Sequence, residues 1–103
     1  MILCAILFIA QPTSVEASTF TAEEFLAWAP QNRAFYIEAS VGMASLIAGQ
    51  TDPAQGRCID DWYYRDEAAG TASIIDVMRQ NPDYHPRGIV LAVLQKRCGP
   101  IGQ

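Results

Sequence analysis

The sequence predicts an all-α protein: a small four-helix domain in two helical-hairpin halves, closed by one disulfide. Three observations carry this expectation. Apolar residues recur at three- and four-residue spacing around Phe35–Ile47, Ile74–Met78 and Ile89–Leu94. Start and stop signals frame those stretches, among them Thr21–Glu24, Asn81-Pro82, His85-Pro86 and Gly99-Pro100. Once an N-terminal leader is discounted, Cys58 and Cys98 remain as an even pair.

The leader comes first. Ile2 to Ala10 is an unbroken apolar run of about nine residues, far short of the ~20 that span a bilayer. Gln11-Pro12-Thr13-Ser14 breaks it, and Val15-Glu16-Ala17 puts small residues where a signal peptidase needs them. No basic residue precedes the run. The competing reading is an apolar first helix of the mature fold. The missing helical amphipathicity and the cleavage-like tripeptide favour a signal peptide over residues 1–17, with 18–103 as a single helical domain. Cys4 leaves with the leader, and no stable membrane anchor remains. An even cysteine pair in an exported chain implies a Cys58–Cys98 disulfide in an oxidising compartment. Closing a loop of about 40 residues contributes ~4 kcal/mol in the chain-entropy model.

In the mature part, Thr21-Ala22-Glu23-Glu24 matches a capping box. Phe25, Leu26 and Trp28 follow, and Pro30 is expected to stop this short helix. A second helix should run from Gln31 or Asn32 to about Ala48, with Gly49 as its stop. Apolar residues on most of its sides mark it as central, and Gly42 suggests close approach by a neighbouring helix. Gly49 to Arg57 reads as a loop from its glycines, proline and polar residues. Trp62-Tyr63-Tyr64 reads as a short strand or an irregular hinge. The next helix should start between Arg65 and Glu67 and end at Asn81-Pro82. The last has Pro86 near its first position. Val90, Leu94 and Cys98 lie four apart there, so the cysteine should point inward.

Several function classes drop out. The chain has 11 acidic and 7 basic residues, for a net charge of -4, with no basic cluster beyond Lys96-Arg97. Nucleic-acid binding needs a basic footprint, so it is set aside. His85 and Cys98 resemble a nucleophile and base, but thirteen helical residues would separate them by ~20 Å where a dyad needs about 3 Å. His85 reads instead as a polar residue at a helix N-terminus. Asp60, Asp61, Asp66 and Glu67 lack the alternation of a calcium loop, and one histidine is too few for zinc. No metal, cofactor or catalytic residue is expected. "DDWYYRDE" is the segment best suited to a protein partner, since aromatics ringed by charges make interface hot spots. The candidate contacts are Trp62, Tyr63 and Tyr64 with Asp60, Asp61 and Asp66. The competing reading packs Trp62 and one tyrosine under the helices.

The second half, "CID", a loop, an apolar helix, "NPDYHP", a second apolar helix and "CG", resembles an exported family of immunity proteins. These are the Tai-type proteins, which block the cell-wall amidase effectors of type VI secretion. Cys58, Ile59, Pro82 and Cys98 fall on that pattern, and "FYIEASVGMAS" keeps an aromatic, Phe35, and a glycine, Gly42. Tyr36 and Glu38 stand where the family often has a cysteine and a glycine, so its N-terminal disulfide has no counterpart here. The resemblance implies a helical periplasmic protein that binds and blocks a cell-wall amidase. It carries over no target-contacting residue. "TAEEFLAW" is similar to the first helix of periplasmic acid-stress chaperones, with Thr21 or Ala22 where those have a cysteine. That resemblance implies the alternative role, a chaperone loosened by acid. A homodimer is the other association left open.

Overall fold

The computed structural model describes residues 19–102. The proposed signal peptide and Cys4 lie outside the described residues. Among the described residues all regular structure is helical, in five helices rather than four. They are α1 Ala22–Leu26, α2 Pro30–Thr51, α3 Pro53–Tyr64, α4 Glu67–Gln80 and α5 Pro86–Cys98.

α1 is short, so its ends decide whether it forms. Thr21 Oγ1 accepts from the Glu24 amide at 3.3 Å, and Glu24 Oε1 accepts from the Thr21 amide at 3.1 Å, completing the capping box. The next free amides, Ala22 and Glu23, donate to the Tyr84 and Pro82 carbonyls of the α4–α5 turn. That docks α1 on the far half of the chain and buries Ala22 and Phe25 completely. Pro30 does more than stop α1: it is the first residue of α2, where a missing N–H costs nothing. Arg33 Nη1 donates back to the Leu26 carbonyl at 2.9 Å, so the two helices share a tight corner.

The extra helix arises where a loop was expected. Gly49 lies inside α2, which runs on to Thr51, and Asp52 alone separates α2 from α3. Its amide donates to the Ala48 carbonyl at 2.9 Å, and its carboxylate accepts from the Gln55 amide at 3.2 Å. Pro53 then opens α3. The glycines serve close packing rather than a turn. A Cβ on Gly56 would come within 3.0 Å of Gly49 Cα and 3.1 Å of the Ser45 carbonyl oxygen, both backbone atoms. Gly42, expected to admit a helix, meets only the Tyr64 hydroxyl. Cys58 and Trp62-Tyr63-Tyr64 all lie on α3, not in a strand or hinge.

The remaining helices close on this hairpin. Asp66 caps α4 through the Ala69 amide, and the Asn81 side chain donates to the Val77 carbonyl at its other end. His85 is the N-cap of α5: its Nδ1 accepts from the Arg87 amide at 3.1 Å. Cys98 is bonded to Cys58. Beside it, Gln55 Nε2 donates to the carbonyls of Cys98, at the end of α5, and of Gly99 and Pro100, just past it. The core is Phe25, Ile37, Val41, Ile59, Tyr63, Ile74, Met78, Val90 and Leu94. The buried polar residues are Ser45 and Gln55, and both are hydrogen-bonded.

Gly56→Ala therefore forces backbone apart and should cost about 1–3 kcal/mol. Gly88→Ala, with nothing within 4 Å of the added carbon, should instead gain up to about 1 kcal/mol. Urea unfolding of both variants checks the contrast; equal effects would remove the close approach from the account.

Candidate functional site

α2 carries two apolar faces. At 100° per residue, Ile37, Val41, Ser45 and Ala48 fall on one side, and all four are buried. Phe35, Ala39, Met43, Leu46 and Ile47 fall on the opposite side. There Phe35 is 74% exposed, Met43 58%, Leu46 62% and Ile47 54%. The sequence pattern of a helix apolar on most sides predicts burial all round. The structure buries one side and leaves the other bare.

The bare side is a furrow, not a flat strip. Between α2 and the α5 region, a groove of about 480 Å³ is lined by Tyr36, Ala39, Met43, Ile47, Leu91 and Ile101, with Arg87 on its rim. Trp28, Asn32 and Phe35 continue it past Tyr36 toward the N-terminal end of α2. An aromatic cluster braces that end. Phe20 stacks on Trp28 with ring centroids 5.4 Å apart, and Trp28 and Phe25 both pack on Tyr36. Beyond Phe35, on the other flank, a second cleft is lined by Glu38, Tyr63, Glu67 and Thr71. The exposed apolar side chains of this face are contiguous rather than scattered singly over the surface.

The residues expected to meet a partner are mostly occupied by the fold. Tyr63 is only 1% exposed, and its hydroxyl shares a 2.8 Å hydrogen bond with Thr71. It belongs to the core, which corrects its place among the candidate contacts. Asp60 Oδ1 accepts from Ser45 Oγ at 2.6 Å, pinning α3 to α2. Asp66 caps α4. Trp62 is half-buried, with the Arg97 guanidinium 5.1 Å over its ring. Tyr64, 41% exposed, and the three carboxylates Asp60, Asp61 and Asp66 face solvent. Tyr64 adjoins Gly42 on α2 and Asp60 lies beside Leu46, so these two border the α2 face. Sequence reasoning missed this face because periodicity shows that a helix has two apolar sides, not which of them the fold covers.

Chemically the face offers contact area and little else. Among the described residues no three of His, Cys, Asp and Glu converge as a metal site, and no described helix is long and apolar enough to cross a membrane. Comparison of the chain with family models, curated proteins and solved structures finds no match.

The two tyrosines beside the face have perturbed hydroxyls. Burial pushes Tyr63 above the ordinary 10.0, and Glu67 and Glu38 add to that, against the Thr71 hydrogen bond, which lowers it. Burial is also the main cause at Tyr64, followed by Glu38 and Asp60. The folded protein keeps these protons where the unfolded chain has lost them. Their contribution to stability is therefore complete below the ordinary value and fades as pH rises through the raised one. Urea midpoints should fall between about pH 9 and 11, and Tyr63→Phe should flatten the fall. A wild-type midpoint level across that range contradicts the burial of Tyr63.

Proposed function

We propose that this is an exported protein-binding module that covers and blocks a partner protein, with the outer face of α2 as its contact surface. The observation that carries the reading is the row Phe35, Met43, Leu46 and Ile47, each more than half exposed on one side of one helix. Such a row is how helix-and-groove recognition is built, with anchors at three- and four-residue spacing. Two helical hairpins, α2–α3 and α4–α5, clasped by Cys58–Cys98, would hold the row on a rigid frame. Rigidity lowers the entropy cost of binding. The resemblance to Tai-type immunity proteins points to a cell-wall amidase as the partner, and the disulfide is compatible with the periplasm. The contact surface proposed here sits on α2, with Tyr64 and Asp60 at its border.

Binding of the purified protein to a panel of cell-wall amidase effectors tests this. Met43→Asp and Leu46→Asp should each weaken the complex at least tenfold, because each buries a carboxylate in an apolar contact. Trp62→Ala should have a smaller effect, since that ring is engaged with Arg97. Binding unchanged by both aspartates would remove the proposed surface. Absence of any amidase complex, with client aggregation suppressed at low pH, would favour the chaperone alternative.

A further inference from the structure

Toward the N-terminal end of α2 its outer face has rims of opposite charge, while farther along, beside Leu46, the α3 flank carries Arg57 and Asp60 together. α2 has two charged residues, Arg33 and Glu38, and Arg33 is turned back onto α1 through the Leu26 carbonyl. The row from Phe35 to Ile47 is itself uncharged. On the α3–α4 flank stands Glu38, in the cleft it shares with Phe35 and Glu67. On the α5 flank stands Arg87, at the edge of the apolar groove. Neither is in an ion pair: among the described residues the pair formed is Arg79–Asp76.

The two rim charges also sit toward the same end of α2. Arg87 follows His85, whose ring meets Phe20, which stacks on Trp28, which packs on Tyr36. That places Arg87 toward the Tyr36 end of the groove, beside the turn of α2 that holds Glu38. The other end of α5 is tied to the start of α3 through Gln55, near the C-terminal end of α2.

We propose that, with no partner bound, the α2 face is covered by a second copy of this chain, the two α2 helices running in the same direction about a two-fold axis parallel to them. A rotation about that axis exchanges left and right rims at each level along the helix. Glu38 of each copy then faces Arg87 of the other, twice over. An axis across the helices would instead set each rim against its own copy with the levels reversed, carrying the Glu38 and Arg87 of the two copies toward opposite ends, so that neither charge would meet its opposite. The uncharged row meets its own copy, as an isologous contact requires. Ala39, small and central in the row Phe35, Ala39, Met43 and Ile47, lets the helices approach.

The area suffices. Four large apolar side chains per copy, each baring on the order of 100 Å², bring ~800 Å² of apolar surface together in two copies. Tyr36, Leu91, Ile101 and the two rims carry the contact toward the ~1,200 Å² at which specific interfaces begin. The inference shares its surface with the proposed function but not its partner; a partner protein would have to displace the second copy.

Analytical ultracentrifugation tests it on the full chain, expressed from its own start, with the mass of the accumulated form recorded. The wild type should sediment as a dimer that dissociates on dilution, and Met43→Asp as a monomer. Glu38→Arg and Arg87→Glu should each weaken the dimer at least tenfold, and the double variant should recover most of that loss. Met43 and Arg87 are exposed and Glu38 is half-buried, and circular dichroism confirms that each variant is folded. A wild-type monomer at millimolar concentration overturns the proposal. So does a dimer indifferent to Met43→Asp, or a double variant no tighter than the singles. No amidase is present in this experiment, so its failure leaves the proposed function standing, and failure of the amidase assay leaves the dimer standing.

Discussion

The structure depends on the approach of two backbones, α2 at Gly49 and α3 at Gly56. With no side chain on either residue, α3 lies directly against the inner side of α2, and Ser45 reaches both the Gly56 carbonyl and the Asp60 carboxylate. Two further attachments follow from that position. Gln55 is presented to the last carbonyls of α5, and Cys58 is presented to Cys98. At the other end of α3, Tyr63 packs on Gly70 and brings α4 in. Every helix that could cover α2 is thereby gathered on one side of it, and the outer side is left to solvent.

That bareness has an energetic cost. Leaving a large apolar side chain exposed forgoes roughly 1.5–3 kcal/mol relative to burying it. Four in a row is a large sum for a domain of this size, whose net stability is expected near 5–15 kcal/mol. The frame is correspondingly well secured: the core polar groups Ser45 and Gln55 are satisfied, four helix N-termini have side-chain caps, and one disulfide closes a 40-residue separation. A surface that costs stability on a braced scaffold is consistent with the proposed contact role, since stability can be given up for function.

Local signals in the sequence were faithful wherever chemistry is local. The Thr21–Glu24 capping box, Pro86 at the head of α5 and the inward Val90–Leu94 face were all legible, and the cysteine pair identified the disulfide. The misreadings share one cause: Gly, Pro and Asp serve tertiary packing as well as turns. Gly49 and Gly56 read as loop residues because their value lies in what the other chain segment does. Pro30 and Pro53 read as breaks, yet each opens a helix after a tight corner. The aromatic run Trp62–Tyr64 read as a short strand or an irregular hinge, and on a helix its three rings are forced apart: Tyr63 inward, Trp62 under Arg97, Tyr64 outward. The site itself was half legible. The sequence shows α2 apolar on both sides, but which side stays bare is decided by the Gly49–Gly56 contact, a relation between helices that periodicity within one helix does not contain.

The central claim is that the chain itself leaves the outer face of α2 uncovered, and two methionines measure it in one experiment. Met43 lies on that face and Met78 in the core, 0% exposed. In dilute protein treated with peroxide, Met43 should become the sulfoxide at least tenfold faster than Met78, and its rate should fall as concentration rises. Equal, slow oxidation of both at high dilution would mean that the chain covers its own face, and would contradict the account.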